Sequence, residues 1–412
     1  MAETVANLLD LLKEVWTQDR LEGQFYNENR WLDKVEKTNK YTIGRQAQVP
    51  VELSLPGGST THTAAGGALN PADALHVDRA DYTLVYEWQQ VEIEAGALNQ
   101  ADTVGERSTI DAADQTIASN VGAMRRNLGR QFVSNQDALI AECATTTTSN
   151  TVSLRPTGYG FGAIERGWLR PGMLIDIGTT ASESSVAADR SIVSVNESDT
   201  APSIVIDGAT VTTTATGHFV SVANARAGTT SNEANGLRQM AGSETTVVGT
   251  IDPASVGQWV PAHVDTATTL VSLDLLLTLQ RKVFQKTGKW PTYVTTSPYQ
   301  AAQLYSQFQS QVRFSDDKTA AGNAHGFKWN GMEIAVDPDI PDRELYMLTL
   351  SDFFVVTGGK FGKPTWASEV QGASRGMLYK QGFTSFVDAL TYPCQLAAKR
   401  RSSHASAIGL TG

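Results

Sequence analysis

Tyr82-Thr-Leu84-Val-Tyr86-Glu-Trp88-Gln-Gln-Val91-Glu-Ile93 places large apolar side chains at alternate positions before continuing to Val91 and Ile93. A period of two is the signature of a β-strand with one buried face. The same alternation runs upstream, with Ala47, Val49, Val51, Leu53 and Leu55 on one face and Gln48, Pro50, Glu52 and Ser54 on the other. Pro50 lacks a backbone donor, which places that strand at an edge. Between the two, residues 56–75 are almost wholly Pro, Gly, Ser, Thr and Ala, the composition of a flexible tip. The segment therefore reads as a long protruding hairpin. An isolated two-stranded hairpin is marginal in water, so its apolar face needs a partner. Tyr82, Leu84, Tyr86 and Trp88 are accordingly the candidate contacts to another subunit.

The pattern downstream changes to helical spacing. Behind Ser108-Thr109, the residues Ile110, Ala113, Ile117, Val121, Met124, Leu128 and Phe132 step by three or four, and the run extends to Leu139 or Ile140. One helix of roughly 30 residues would be ~45 Å long and would act as a spine. Gly122 and Gly129 each weaken it by about 1 kcal/mol relative to Ala, which suggests close packing against another element. After Thr145–Thr148 come short strands separated by turn residues, Gly172–Ile177, Ser191–Val195, Ser203–Ile206 and His218–Val222, expected to form a small β-barrel or sandwich inserted at 150–235. Residues 236–380 return to mixed α/β. A helix lined by Leu270, Leu273, Leu276, Leu277, Val283 and Phe284 stops at Gly288, a strand covers Tyr293–Thr295, and Ser297-Pro298 opens another helix. Asn330-Gly331 marks a hairpin, and further strands follow at Leu345–Leu350, Phe353–Val356 and from Phe383 onward. Ahead of the hairpin, Val5, Leu8, Leu9, Leu12, Val15 and Trp16 form an amphipathic helix behind Thr4, and residues 20–40 read as an irregular arm.

The 412 residues are too many for one ordinary core, so two to three packed units are expected. Only 18% are charged, which suits a surface largely covered by neighbours. The net charge of −10, with no basic block longer than Lys399-Arg400-Arg401, excludes a design built on gripping nucleic acid phosphates. Cys143 and Cys394 are too few for a disulfide framework or a zinc site and read as buried small hydrophobes. The first residues lack the basic region of a signal peptide, and no apolar run reaches the ~20 residues that span a bilayer, so a soluble protein made in the cytoplasm is expected.

The motifs that carry chemistry each fail on context. Gly372-Ala-Ser374-Arg-Gly376 fits the G-x-S-x-G pattern of a hydrolase nucleophile, but neither the strand before it nor the helix after it is present, and no histidine has a supporting setting. Gly358-Gly-Lys-Phe-Gly-Lys363 misses the phosphate-loop spacing, and Pro364 follows it. Asp337, Asp339 and Asp342 read as hydrated turn chemistry, and Arg125, Arg126 and Arg130 as a solvated or intersubunit face of the spine. No catalytic, cofactor-binding or metal-binding residues are assigned.

The order of these elements resembles the tailed-bacteriophage major capsid proteins of the Hong Kong 97-like fold, an α+β class, over essentially the whole chain. Leu169-Arg-Pro-Gly-Met-Leu-Ile-Asp176, Asn235-Gly-Leu237 and Asn330-Gly-Met-Glu-Ile-Ala-Val-Asp-Pro-Asp-Ile-Pro341 are the local segments similar to that family. The resemblance implies an arm at 1–40, an extended loop at 41–95 lying over a neighbouring subunit, and a peripheral domain with the spine helix at 96–149. It further implies the inserted domain at 150–235, an axial domain within 236–380, and carboxy-terminal strands of the peripheral domain at 381–412. It implies a non-enzymatic virion protein, assembled in the host bacterial cytoplasm into hexamers and pentamers that close an icosahedral head around double-stranded DNA without reading its sequence. Leu8, Leu12 and Trp16 join the hairpin residues as intersubunit candidates. A portal, a scaffolding protein and a decoration protein are the implied partners; no membrane is involved. Some members crosslink through a loop lysine, yet no lysine lies between Lys40 and Lys282 here, so that chemistry cannot operate from this loop. An encapsulin-type bacterial compartment shell is the alternative on the same fold, and a serine hydrolase using Ser374 a remote one.

Overall fold

In the computed structural model the described residues are 30–54, 76–94, 106–156, 162–309, 326–358, 365–366, 378–379 and 385–411, less 181, 183, 199, 214–216, 228–229, 243 and 266–268. The chain opens with α1 (Arg30–Lys34), β1 (Glu36–Thr38), β2 (Gln46–Ser54), β3 (His76–Thr83), β4 (Val85–Glu94) and α2 (Glu106–Val133). Next come β5 (Leu139–Glu142), β6 (Thr151–Ser153), β7 (Leu174–Gly178), β8 (Ala187–Asn196), β9 (Ser203–Ile206) and β10 (Phe219–Val222). After them run α3 (Leu237–Ala241), β11 (Ala262–Asp265), α4 (Leu273–Thr287), β12 (Tyr293–Thr296) and α5 (Pro298–Gln309). The remainder is strand-rich, with β13 (Gly326–Trp329), β14 (Met332–Val336), β15 (Glu344–Leu348), β16 (Phe353–Thr357), β17 (Ser385–Ala398) and β18 (Ala405–Ile408).

Ile117, Val121, Met124, Leu128 and Phe132 form the buried stripe of α2. Each such side chain contributes ~1.5–3 kcal/mol on burial, an upper bound that still outweighs the glycine penalties together. The expected tight packing at Gly122 is not found: a Cβ there would meet nothing within 4 Å. The helix also ends earlier than its apolar spacing suggests. Gln136 and Ala138 take positive φ of 57° and 55°, the chain reverses, and Leu139–Glu142 is a strand. A strand buried on both faces is apolar throughout and mimics a continuing helical stripe.

The main sheet is organised on the 14-residue β17. It pairs antiparallel with β4 from Ser385↔Glu94 to Cys394↔Val85 and with β16, which in turn pairs parallel with β1. The spine helix packs on β4, where Gln89 Nε2 donates to Asn120 Oδ1 at 3.0 Å. The stretch around Leu84 is thus two strands in two sheets, not one hairpin strand: β3 pairs with β2, and the chain crosses at Leu84 to pair with β17. Pro50 sits in β2 opposite Arg79, beyond the two residues that pair β2 with Thr42-Ile43 on its other side.

The base of the β2–β3 hairpin finds its partner inside the chain, contrary to the expectation that a neighbour must supply it. Ala47, Val49, Val51, Ala80 and Tyr82 are buried in the same cluster as Val248, Ile251 and Trp259. Asp81 N donates to Gly249 O at 2.9 Å, and a Cβ at Gly249 would fall 2.8 Å from Ala80 Cβ. Leu53, Leu55 and the tip lie outside the described side chains.

The inserted unit is a six-stranded barrel in the order β5-β10-β7-β8-β9-β6. It closes through the Cys143↔Leu154 bridge, with Ala144 N donating to Ser153 O at 2.8 Å and Arg155 N to Glu142 O at 2.9 Å. Closure leaves no unpaired edge, and Ile140, Val152, Ile175, Ile177, Ile204 and Val220 fill its core. Its first strand precedes residue 150, so the unit starts at Leu139. The third unit is a sheet in the order β11-β18-β15-β12-β14-β13. There α4 begins with Ser272 Oγ accepting from Leu275 N at 3.2 Å, later than the Leu270 expected, and ends at Gly288 in the left-handed region, where its sequence placed the stop. Asn330 and Gly331, both at positive φ, turn β13 into β14. The terminal strands divide: β17 stays in the main sheet, whereas β18 inserts between β11 and β15, correcting the expectation that both belong to the peripheral unit.

Candidate assembly surface

The crossing at Leu84 decides which aromatic residues face outward. Up to Leu84 the even-numbered positions point into the core, so Tyr82 is 2% and Leu84 4% exposed. Beyond it β4 lies on a different sheet with the opposite phase, and Glu87, Gln89 and Val91 face the spine. Tyr86 and Trp88 consequently stand on the other face, 43% and 56% exposed. Tyr82 and Leu84 are therefore interior residues and are withdrawn as contact candidates. Burial raises the Tyr82 hydroxyl far above its ordinary range, against the opposing pull of its hydrogen bond to Ala398 O. Leu8, Leu12 and Trp16 lie outside the described residues, as do Ser374 and the Gly359–Lys363 stretch.

A second exposed apolar surface sits on the α4–α5 unit. Leu276, Leu279 and Val283 are buried against the sheet, while Leu277 and Phe284, seven residues apart on α4, face outward. Of the six residues read as lining this helix, Leu270 lies ahead of α4, and Leu277 and Phe284 face outward. Trp290 stacks on Phe284 with ring centroids 4.1 Å apart, and Tyr299 and Tyr305 on α5 are also exposed. By spacing alone Leu277 and Phe284 fall in the same stripe as Leu276 and Val283, so the sequence did not set them apart.

Polar groups that looked available for chemistry are engaged structurally. Arg130 is buried and pairs with Glu233, so it is no solvated face of the spine. Asp337 Oδ1 accepts from Asp339 N at 2.9 Å in a local turn, and Asp342 pairs with Arg166 at 2.8 Å. Arg401, the last member of the basic run, is buried and donates to the carbonyls of Met240, Thr246 and Gln239 at 2.9, 2.8 and 3.0 Å. His404 stacks on Phe353 at 3.7 Å, and its Nδ1 accepts from Thr349 N, which leaves the ring proton on Nε2. Burial, with the nearby Arg401 charge adding, pushes this imidazole down to about 3. Burial also raises the thiols of Cys143 and Cys394, which behave as small core residues. Among the described residues no group of three His, Cys, Asp or Glu could hold a metal ion, and no helix is long and apolar enough to cross a membrane.

No family profile matches the sequence, and no curated protein matches it either. Solved structures are similar at the level of fold. A chain of the cyanophage A-1(L) capsid asymmetric unit superposes with a TM-score of 0.52 at 10% identity, covering 95% of this chain and 93% of that one. The holo-SrpI encapsulin complex of Synechococcus elongatus gives 0.46 at 9% identity, covering 92% and 87%. The satellite phage P4 procapsid that includes the size determination protein gives 0.44 at 8% identity, covering 96% and 91%. The fold assignment stands on the first of these three, whose score exceeds 0.5. The chain has the Hong Kong 97-like fold expected from the order of its elements.

Proposed function

We propose that this chain is the major capsid protein of a tailed bacteriophage, a structural subunit without catalytic activity that assembles into hexamers and pentamers of an icosahedral head around double-stranded DNA. The observation that carries the reading is the pairing of a capsid-type fold over almost the whole chain with two outward aromatic surfaces, Tyr86–Trp88 and Leu277–Phe284–Trp290. Large contiguous exposed apolar groups on a folded unit mark contact sites. Two such surfaces, one on a strand of the main sheet and one on α4 and the turn after it, suit a subunit with several neighbours, since heterologous contacts that close generate rings. The amphipathic segment bearing Leu8, Leu12 and Trp16 would add a further contact.

A scaffolding protein, a portal and a decoration protein are the partners this role calls for. Without loop lysines, the shell is held by non-covalent interfaces and added proteins. Mass measurement of the purified full chain tests the role. Species at five and six times the 44.3 kDa subunit mass support it, and a monomer at all concentrations overturns it. The contents of any closed particle separate a DNA-filled head from a compartment loaded with an enzyme.

A further inference from the structure

Arg130, Arg166, Arg238 and Arg401 each have a partner: Glu233, Asp342 at 2.8 Å, Glu344 at 3.0 Å and a set of three carbonyls. Arg126 and Arg170 differ from them. Among the described residues neither makes an ion pair or a side-chain hydrogen bond.

These two stand together where the spine meets the barrel. Arg126 projects from α2 one turn before Arg130 and lies against the turn by which the chain enters the barrel. A Cβ at Gly167 would fall 3.1 Å from Arg126 Nη1 and 3.6 Å from its Cζ, so the guanidinium rests on bare backbone at a residue whose φ is +69°. The turn is fixed by Gly167 N donating to Ile164 O at 2.8 Å and Trp168 N to Ala163 O at 2.9 Å. Arg170 follows three residues later, half-buried and close enough for the Arg126 charge to act on it. Burial first, and that charge second, lower the Arg170 guanidinium from its ordinary range. Two cations held side by side by a helix and a fixed turn repel, and an anion between them removes the repulsion.

The chemistry of the pair selects the anion. Each guanidinium presents a planar fork of N–H donors. A carboxylate has two oxygens in one plane and is saturated by one fork, whereas a phosphate has oxygens enough to accept from both. We propose that Arg126 and Arg170 form a binding site for one phosphate group, free or as a phosphodiester of nucleic acid, at the joint of spine and barrel. A net charge of −10 excludes a broad basic surface and is compatible with one local pair. Both arginines spring from ordered backbone, so little ordering of the chain opposes binding. The inference stands on the fold and is independent of the shell reading.

Calorimetric titration and thermal unfolding of the full chain at constant ionic strength test it, with inorganic phosphate as the probe and acetate as the control. Phosphate should bind once per chain and raise the melting temperature, and acetate should do neither. Arg126→Gln and Arg170→Gln should each weaken phosphate binding about tenfold or more, because a charge-assisted hydrogen-bond partner is lost. In phosphate-free buffer each variant should melt no lower than the parent, because a like-charge repulsion goes with the arginine. Short duplex DNA separates the two sources. Displacement of bound phosphate by DNA assigns the site to the phosphodiester, and retention of phosphate assigns it to the free ion. Absence of saturable phosphate binding, equal affinity in the parent and both variants, or an acetate effect as large as that of phosphate overturns the site, the last in favour of a carboxylate from a second copy of the chain.

Discussion

Trp88→Ala and Leu84→Ala change two members of one apolar stripe in the sequence, and the structure assigns them opposite consequences. A Trp side chain can cover 150–250 Å². With 56% of Trp88 exposed, roughly 85–140 Å² remains for a neighbour to cover, worth ~2–3.5 kcal/mol at 25 cal/mol per Å². Losing it from an interface weakens each contact by about 100-fold. Folding should suffer somewhat less, ~1.5–3 kcal/mol, since only the part already covered within the chain is lost. Leu84, at 4% exposure, behaves as a core residue, and its truncation should cost ~2–5 kcal/mol of subunit stability. Chemical denaturation reads the folding term. Light scattering at stepped protein concentrations reads the assembly threshold of the folded subunit. The expected result is a threshold raised on the order of 100-fold in Trp88→Ala and a lowered denaturation midpoint in Leu84→Ala with near-normal assembly of what remains folded. Equal loss of stability in both, with no change of threshold in Trp88→Ala, would refute the division drawn at Leu84.

Gly122→Ala should stabilise the chain by up to about 1 kcal/mol, read as a raised melting temperature, because helix propensity improves and a Cβ there meets nothing within 4 Å. Unchanged or lowered stability would show that the spine needs glycine there for packing. His404 is held neutral in the fold with its imidazole lowered to about 3, so its contribution is complete above pH ~6.5 and is lost as pH falls toward 3, at up to ~1.4 kcal/mol per unit. Denaturation midpoints between pH 7 and 4 should therefore decline, and His404→Gln should lose that part of the slope.

Much of the architecture was legible because local chemistry and tertiary structure agree. Gly288 ends α4 as a left-handed stop, and Asn330-Gly331 can take the positive φ that its tight turn requires. What failed to show was any feature that depends on a distant partner. Alternation in Tyr82–Trp88 is continuous, yet the strand changes sheets at Leu84 because β17, some 300 residues later, captures β4. The hairpin base looked unpartnered because Trp259 and Ile251, which cover it, carry no local mark of that role. Arg130 read as a solvated or intersubunit face, since only the folded chain brings Glu233 to it, and nothing in the basic run marks Arg401 as buried against three carbonyls. Phe284 was hidden among helix residues alike in hydrophobicity, and Trp290, beyond the end of α4, carried no local mark of the stack it makes.

Electron microscopy of the full chain, produced alone and together with a candidate scaffolding protein, addresses the central claim most directly. A capsid subunit predicts closed icosahedral shells in which Trp88 and the Phe284–Trp290 stack are covered by neighbouring copies. Discrete soluble monomers under the same conditions, with both aromatic surfaces left bare, would contradict it.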